Sequence, residues 1–303
     1  MNIQAKPFLQ WVGGKKQLIG QLEQLLPVNL EKKESVTYIE PFIGGGAMLF
    51  YMLQKYPNIK KAVINDVNPD LITCYRTIRD NVELLIQSLS RIQTRYCNLP
   101  DIESKKAMYL ENRQKYNEKG LDPIENSTLF IFLNRTCFNA LYRTNKKGEF
   151  NVSFGTTKKD IERPLMFDSD ILRADSELLK RVTILEGDFE NVSEYVNKNT
   201  LIYFDPPYRP LSTTSSFNSY AKESFNDDAQ VRLKKFCDFV THCGGKLLLS
   251  NSDCKGENEN CNYFENLYKG YDITRVYASR SVNCDASKRG KISELVIRNY
   301  TNN

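Results

Sequence analysis

Four short runs of β-branched and aromatic residues, each reaching an acidic residue near Pro or Gly, constrain the fold of this chain most strongly. The runs are SVTYIEPF (35–42), KKAVIND (60–66), RVTILEGDF (181–189) and NTLIYFDPP (199–207). Such runs are typical of buried strands. Helical patterns lie between them, for example at 47–56 and 229–243. The alternation predicts an α/β protein with a doubly wound, mainly parallel sheet.

The acidic strand ends predict where a ligand binds. In open α/β sheets, ligands bind at the carboxyl ends of the strands. We therefore expect one crevice lined by the carboxylates of Glu40, Asp66, Asp188 and Asp205. Two further runs, at 271–279 and 291–300, predict a closing antiparallel pair that would make the sheet mixed.

The region 69–165 breaks the alternation of strands and helices. It is polar and carries apolar residues at helical spacing at 83–93 and 104–116. Ser127 is the predicted N-cap of a third helix, and 142–155 has the pattern of a loop or hairpin. We predict that 69–165 is an inserted, mostly helical domain, and that 1–68 and 166–303 together form the domain with the sheet.

Composition excludes several classes of protein. With 41% hydrophobic and 26% charged residues, the chain is neither collagen-like nor wholly disordered. No apolar run is long enough for a membrane span, and the N-terminus lacks a secretory signal, so we expect a cytoplasmic protein. The eight cysteines form no CxxC pair and the only histidine is His242, so we predict free thiols, no metal site and no histidine-dependent triad.

Basic residues concentrate in one part of the predicted insertion. The net charge of the chain is +5, and between 135 and 159 only Glu149 opposes six basic side chains. These are Arg135, Arg143, Lys146, Lys147, Lys158 and Lys159. A local basic excess is the electrostatic footprint of a protein that binds a polyanion, although a solvated loop has the same composition.

A glycine-rich turn, Glu40-Pro41-Phe42-Ile43-Gly44-Gly45-Gly46, follows the first predicted strand and precedes a helix. Glycines there let a ligand approach the backbone closely. The dinucleotide fingerprint has a third glycine where this chain has Leu49, which weakens an NAD interpretation. Asp66 ends the next strand, where a carboxylate binds ribose hydroxyls. The pattern favours an adenosine-containing ligand without a pyrophosphate, and the alternative is a tight structural turn.

A second motif, Asp205-Pro206-Pro207-Tyr208, follows the apolar run LIYF. The two prolines fix their φ angles and carry no N–H donor. The motif therefore predicts a rigid corner of hydrogen-bond acceptors beside an aromatic ring. Such a corner suits an exocyclic amine, which has two N–H donors on a flat ring. The alternative is a proline turn that merely ends a strand.

These motifs and their order resemble those of the Dam-type adenine DNA methyltransferases, whose methyl donor is S-adenosylmethionine. The resemblance covers almost the whole chain. Its parts are FLQWVGGK (8–15), YIEPF with Gly44 to Gly46, NDVN (65–68), the segment from Asn134 to Val152, GDF (187–189) and DPPY (205–208). It implies a Rossmann-like, doubly wound mixed sheet with an inserted, mostly helical DNA-recognition domain.

The resemblance also implies roles for individual residues. The catalytic residues would be Asp205, Pro206 and Tyr208. The residues that bind S-adenosylmethionine would be Trp11, Lys15, Glu40, Phe42, Gly44, Gly46, Asp66, Asp188, Phe189 and Asp205. Lys15 would pair with the cofactor's carboxylate, and Tyr208 would stack on an adenine flipped out of the duplex. The polar segment 211–220 would close over that base.

The segment 134–152, called the reading segment below, would recognise double-stranded DNA. Its DNA-binding residues would be Arg135, Phe138, Asn139, Arg143, Asn145, Lys146 and Lys147. Arg143 would contact guanine, Asn139 an adenine edge and Phe138 the base stack, while Arg135 and the lysines would bind phosphates. Ala140 stands where the family usually has Gly, and Ser153, just beyond the segment, where it usually has Pro. The expected target is therefore GATC or a related short site.

Two alternatives stay open at this level. The first alternative to a DNA adenine methyltransferase is a methyltransferase of another amine, such as an RNA adenine or a protein glutamine. The second is an inactive DNA-binding module. Glutamine-modifying relatives more often have Asn in place of Asp205, and neither amine explains the basic insertion. The intact motif from Asp205 to Tyr208 argues against the inactive module. A cognate restriction endonuclease is a candidate partner.

Overall fold

A computed structural model describes residues 4–11, 13–155, 166–209, 225–256, 261–279 and 291–302. The predictions for Lys158, Lys159 and the segment 211–220 lie outside these residues. In the described ranges, none of the helices combines the length and the apolar character needed to cross a membrane.

The α-helices described are α1 (Ile19–Gln24), α2 (Ala47–Lys55), α3 (Pro69–Cys97), α4 (Ile102–Glu118), α5 (Pro123–Thr136), α6 (Ser169–Leu179), α7 (Asp227–His242) and α8 (Tyr263–Leu267). The strands are β1 (Val36–Glu40), β2 (Ile59–Asp66), β3 (Val182–Glu186), β4 (Thr200–Phe204), β5 (Lys246–Ser252), β6 (Asp272–Ser279) and β7 (Lys291–Arg298). Short 3₁₀ turns lie at Lys15–Gln17, Leu30–Lys32, Phe138–Ala140, Phe189–Tyr195 and Cys254–Gly256.

The chain forms two compact units. The first contains Met1–Gly14, Gly44–Lys55 and Asp66–Gly187. The second contains Lys15–Ile43, Tyr56–Asn65 and Asp188–Asn303. The domain boundaries predicted at 68/69 and 165/166 stay a prediction.

The second unit is built on a mixed sheet. Its strands lie in the order β2-β1-β4-β5-β7-β6. The first four are parallel, whereas β7 pairs antiparallel with both β5 and β6. The predicted α/β class and the closing antiparallel pair are therefore confirmed. Ile39 on β1, Ile202 on β4 and Leu248 on β5 are fully buried, which explains why these strands are continuous apolar runs.

The strand order places a switch point between β1 and β4. From β1 the chain continues to β2 on one side, and β4 pairs on the other side. Diverging connections leave a crevice at the carboxyl ends of such neighbouring strands. Glu40 is the last residue of β1, and Asp205 directly follows β4, so both acidic residues lie at this point of the sheet.

Helices make up most of the first unit. α3 packs against α5 and α6, and its side chains Leu71, Tyr75 and Ile78 are fully buried. Asn68 caps α3 by accepting from two backbone N–H groups, and Pro69 follows at the first helical position. The helices predicted around 83–93 and 104–116 are thus confirmed as parts of α3 and α4.

The predicted N-cap of the third helix is wrong. Asp122, not Ser127, caps α5, because the Asp122 carboxylate accepts from the N–H groups of Ile124 and Glu125. Pro123 at the first helical position marks this start. Ser127 lies a full turn inside the helix, and its hydroxyl donates to the Pro123 carbonyl at 2.7 Å.

The segment after α5 folds back as the predicted hairpin. Thr144 bridges to Phe150 and Cys137 bridges to Phe154, both antiparallel. The Asn145 carboxamide closes the turn by accepting from the backbone N–H of Lys147 at 2.9 Å. Such side-chain turns are what Asn commonly supplies.

The cysteine prediction is wrong for one pair. Cys254 and Cys261 form a disulfide, whereas free thiols were expected throughout. The other described cysteines, Cys74, Cys97, Cys137, Cys237 and Cys243, are free thiols. Within the described ranges, no three His, Cys, Asp or Glu side chains are grouped as a metal site.

Candidate active site

The second unit contains a buried ion cluster of Lys15, Asp205 and Glu294, in which Lys15 and Glu294 lie far apart in the sequence. The Lys15 ammonium lies 3.2 Å from a carboxylate oxygen of Asp205 and 3.4 Å from one of Glu294. The Lys15 side chain is only 6% exposed, and those of Asp205 and Glu294 are 21% and 16% exposed. One cation thus faces two anions, which leaves the cluster with one net negative charge when all three groups are ionised.

Burial dominates the electrostatics of this cluster. It raises the pKa of Asp205 to about 6, against the opposing effect of the Lys15 ammonium, and the Glu294 charge raises it further. Burial also raises the pKa of Glu40 to about 8, although the Tyr38 hydroxyl donates to its carboxylate at 2.7 Å. At neutral pH, Asp205 is therefore mostly ionised and Glu40 mostly protonated.

The proline corner, Asp205 to Tyr208, directly follows β4. Pro206 is buried. The Tyr208 hydroxyl donates to Glu294 at 2.6 Å, and its ring lies 4.3 Å from the Lys15 ammonium. A cation held over an aromatic face is attracted by the ring quadrupole. Tyr208 is thereby fixed beside Asp205 from two directions.

Sequence reasoning missed Glu294. It lies on β7, paired in register with Ser252 at the end of β5, and so reaches the carboxyl end of the parallel strands. A signal was present, because Glu294 interrupts the apolar run ISELVI, and a carboxylate in a buried strand requires a partner. Nothing in the local sequence identifies Lys15 as that partner.

Phenylalanines bring together the other predicted residues of the second unit. The rings of Phe42 and Phe189 lie 5.4 Å apart, and Phe225 packs edge-on against Phe42 at 5.5 Å. Asp188 caps the following 3₁₀ turn and forms an ion pair with Arg232. The guanidinium of Arg232 also lies 4.5 Å from the Phe189 ring. Phe189 and Phe225 are buried, so Phe42 is the part-exposed ring of this cluster.

The glycine turn and Asp66 meet in the first unit. Gly44, with φ of +47°, donates its N–H to one Asp66 oxygen at 3.1 Å, and Asn68 N–H donates to the other at 3.0 Å. Burial raises the pKa of Asp66, and these backbone bonds oppose that rise. Gly46 needs to be glycine, because a Cβ there would lie 2.5 Å from the Tyr75 hydroxyl.

Trp11 packs on the same turn. A Cβ on Gly44 would lie 2.9 Å from the Trp11 indole, so the missing side chain makes room for the ring. From another side, the Tyr142 ring stacks on Trp11 at 5.6 Å with an interplanar angle of 24°. The structure therefore brings Trp11, Gly44 and Asp66 together.

Two predicted DNA contacts stand at an exposed, strained turn. Phe138 is 41% exposed, so its ring is accessible to a ligand. Asn139 and Ala140 follow with φ of +54° and +51°. Asn tolerates this left-handed conformation, whereas Ala pays for its Cβ. Such strain persists where the surrounding structure enforces it, which is common at functional sites.

The basic candidates differ in what they contact. Arg143 is exposed, and its Nε and Nη2 donate to the side chain and carbonyl of Asn151 at 2.8 and 3.3 Å. Lys146 and Lys147 are exposed at the hairpin turn, whose geometry Asn145 sets. Arg135 instead donates to the Phe8 carbonyl at 2.8 Å, so it ties down the N-terminal segment.

Similarity to known proteins shows the family of this chain. Residues 11–282 match the family described as "D12 class N6 adenine-specific DNA methyltransferase". The type II methyltransferase M.MjaIII of Methanocaldococcus jannaschii is 47% identical over 301 residues, covering 98% of this chain and all of that protein.

Two further relatives match along their whole length. The type II methyltransferase M1.LlaDCHI of Lactococcus lactis subsp. cremoris is 37% identical, covering 99% of this chain and 98% of its own. A DNA adenine methylase of Haemophilus influenzae is 32% identical, covering 97% and 94%. The chain belongs to the D12 class of N6 adenine-specific DNA methyltransferases. The fold, family and enzyme class predicted from the sequence are thereby confirmed.

Proposed function

We propose that this protein transfers the methyl group of S-adenosylmethionine to the exocyclic amino nitrogen of an adenine flipped out of double-stranded DNA, within GATC or a related short site. The observation that carries the proposal is the buried ion cluster, in which Lys15 faces Asp205 at the proline corner. Asp205 and Tyr208 are the proposed catalytic side chains, and the Pro206 carbonyl is the proposed backbone partner.

The chemistry assigned to the corner is orientation of the amine. An adenine amino group carries two N–H donors, and its lone pair is delocalised into the ring. The Asp205 carboxylate and the Pro206 carbonyl would accept those two hydrogens and so direct the lone pair. Much of the rate acceleration would then come from positioning and from fixed acceptors. Tyr208 would stack on the base, which is worth about 1–3 kcal/mol.

The residues of the second unit fit parts of S-adenosylmethionine, which supplies a methyl group on a sulfonium that is already electrophilic. The cluster of Lys15, Asp205 and Glu294 carries one net negative charge, and the cofactor carries one net positive charge. Lys15 would bind the cofactor's carboxylate, and the part-exposed ring of Phe42, which packs on the buried Phe189, suits an adenine ring.

The Asp66 carboxylate fits a ribose hydroxyl. It accepts from the backbone N–H groups of Gly44, Asn68 and Val67, and an ionised carboxylate has about four acceptor sites. About one site is therefore left for a ribose hydroxyl. The neighbouring Gly44 and Gly46 lack a side chain, and that space is taken by the Trp11 ring and the Tyr75 hydroxyl. Gly44, Gly46 and Trp11 are the proposed contacts of the cofactor beside Asp66.

The reading segment suits recognition of duplex DNA. The bonds to Asn151 use one edge of the Arg143 guanidinium and leave the Nη1–Nη2 edge for a bidentate contact to guanine. Asn139 would pair with an adenine edge and Phe138 would wedge into the stack. Lys146 and Lys147 would bind phosphates, and Arg135 keeps that proposed role beside its bond to Phe8.

Methyl transfer from labelled S-adenosylmethionine tests the proposal, with duplex DNA, RNA and protein offered in parallel. We expect label in duplex DNA, as N6-methyladenine, and none in the other two. Asp205→Ala, which removes the acceptor, should abolish this transfer, while Asp228→Ala, at an exposed aspartate on α7, should leave it intact. Label in RNA or protein alone would favour the other amine substrates, and no binding of the cofactor would indicate the inactive module.

A cognate restriction endonuclease stays a proposed partner. Two of the three relatives described above are named type II methyltransferases, which is the naming used in restriction–modification. The relevant test is whether an endonuclease encoded beside this protein cuts unmodified DNA and spares DNA that this protein has methylated.

A further inference from the structure

One buried side chain of the first unit contacts both the N-terminal segment (residues 5–11) and the reading segment. Asn134 is 2% exposed. Its carboxamide nitrogen donates to the Gln10 carbonyl at 3.0 Å and to the Ala140 carbonyl at 3.1 Å. Its oxygen accepts from the Gln10 N–H at 3.3 Å. A single amide thus clamps the residue before Trp11 and the strained residue Ala140.

The same two segments meet a second time through aromatic rings. Trp11 packs on Gly44 and Gly45 on one side and stacks on Tyr142 on another. Tyr142 is part of the reading segment, and its hydroxyl interacts with Asn68, two residues beyond the proposed ribose-binding Asp66. The glycine turn, Trp11 and Tyr142 therefore form one continuous packed series.

The proposed chemistry explains neither the hydrogen bonds of Asn134 nor the stack of Trp11 on Tyr142. Asn134 touches no candidate catalytic group, and Tyr142 is half-buried. Yet Asn134 supports the left-handed Ala140, which follows the proposed adenine contact Asn139. The Asn134 amide offers two donors and an acceptor, and it uses them on three backbone groups of Gln10 and Ala140. Its three bonds make the positions of Gln10 and Ala140 depend on each other.

We propose that Asn134, with the stack of Trp11 on Tyr142, couples cofactor binding to DNA reading. Asn134 is a positioning residue in this role, and the inference rests on the proposed function. A cofactor that packs against Trp11 and the glycine turn fixes Gln10 and Tyr142. Through Asn134 it then fixes the turn at Asn139 and Ala140. Ordering that turn in advance lowers the entropic cost of DNA binding. By reciprocity, DNA must tighten cofactor binding by the same factor.

The test compares the dissociation constant for the duplex that is methylated best, with and without saturating S-adenosylhomocysteine as a non-reactive cofactor. The ratio meant below is the dissociation constant without S-adenosylhomocysteine divided by the dissociation constant with it. In the wild type we expect this ratio to be at least about 5, at the low end of usual coupling factors. Asn134→Ala should reduce the ratio to about 1. In Asn134→Ala, the affinity for the cofactor should likewise become about equal with and without that duplex.

Asn117→Ala is the matched control. Asn117 clamps Phe150 as Asn134 clamps Gln10, donating to its carbonyl at 3.0 Å and accepting from its N–H at 2.8 Å. It thus supports the reading segment but makes no contact with the N-terminal segment in these bonds. Asn117→Ala should weaken DNA binding and keep the wild-type ratio. A general loosening of the reading segment would instead change both variants alike.

If Asn134→Ala does not fold, Tyr142 supplies the second variant. Tyr142→Leu removes the stack on Trp11 and should lower the ratio, whereas Tyr142→Phe keeps the stack and should keep it. Trp11 is the only tryptophan, so its fluorescence reports the stack directly. Addition of DNA alone should change that emission in the wild type and in Tyr142→Phe, and not in Tyr142→Leu.

The outcomes separate this inference from the proposed function. A wild-type ratio near 1, or a wild-type ratio retained in Asn134→Ala or Tyr142→Leu, overturns the coupling while methylation of DNA persists. Failure to methylate DNA at all overturns the proposed function, and the coupling falls with it.

Discussion

The Lys15 ammonium lies 3.2 Å from the Asp205 carboxylate, and both groups are shielded from solvent. This pair keeps Asp205 ionised in a setting where burial alone would favour its neutral form. An ionised carboxylate accepts the hydrogens of an amine more strongly than a neutral carboxyl does. The pair therefore links the resting electrostatics of the corner to its proposed chemistry.

The first prediction concerns the pH dependence of methyl transfer. The pKa of Asp205 is raised to about 6, and its ionised form is the stronger acceptor for the amine hydrogens. We expect kcat/KM to rise with pH up to about 6 and to level off above it, because this parameter reports the free enzyme. A profile that is flat between pH 5 and 7 would contradict this role.

Glu294→Gln should move that profile. The negative charge of Glu294 raises the pKa of Asp205, so its removal lowers this pKa and shifts the acidic limb to lower pH. The glutamine oxygen can still accept from Tyr208, which preserves the corner. Glu186→Gln, an exposed glutamate paired with Arg76, is the control and should leave the limb in place. A limb that stays, or moves to higher pH, in Glu294→Gln would refute this electrostatic account.

The proline corner could be predicted from the sequence because its signal is local. Asp205 and its neighbours are consecutive, and a buried strand precedes them. Glu294 could not be assigned, because its partner Lys15 lies near the opposite end of the chain and only the strand order brings them together. The contacts of Asn134 were missed for the same reason.

Local patterns can also place a feature one turn away from its true position. Ser127 has the side chain of an N-cap, but Asp122 followed by Pro123 gives the stronger start signal, and the helix begins there. Cys254 and Cys261 form a disulfide although they are not spaced as CxxC, so that pattern could not predict their pairing. The fold class, by contrast, follows from long periodic runs, which are less sensitive to single residues.

A third prediction concerns stability and pH. Asp175 is fully buried, its carboxylate accepts from the Lys6 N–H at 3.0 Å, and burial raises its pKa to about 8. The folded protein therefore holds a proton that the unfolded chain loses near pH 4. This contribution to stability is complete below that pH and is lost as the pH rises through about 8.

Asp175→Asn should reduce this loss, since Asn keeps the acceptor and does not ionise. Urea unfolding at pH 5 and pH 8.5 should show a smaller difference in the free energy of unfolding than in the wild type. Asp170→Asn, an exposed position on the same helix α6, is the control with an unchanged difference. Equal differences in all three proteins would rule out a buried, protonated Asp175.

The fourth prediction concerns the strained turn of the reading segment. Ala140 has a φ of +51°, which costs an L-residue about 1–2 kcal/mol and glycine almost nothing. Ala140→Gly should raise the free energy of unfolding by up to about 1 kcal/mol, after the greater freedom of the unfolded chain is allowed for.

The same substitution on a helix should have the opposite sign. Ala107→Gly, at an exposed position of α4, should lower the free energy of unfolding by about 0.5–1 kcal/mol. Denaturant unfolding of both variants provides the comparison. A loss of stability in Ala140→Gly equal to that in Ala107→Gly would contradict strain at this turn.

The most direct test of the central claim is sequencing of modified bases in DNA from cells that express the protein, beside cells that express Asp205→Ala. The account predicts N6-methyladenine at one short site, GATC or a relative of it, in the first culture and none in the second. Unmodified adenines in both cultures, or equal methylation with Asp205→Ala, would contradict the claim that the Asp205 corner orients a flipped adenine.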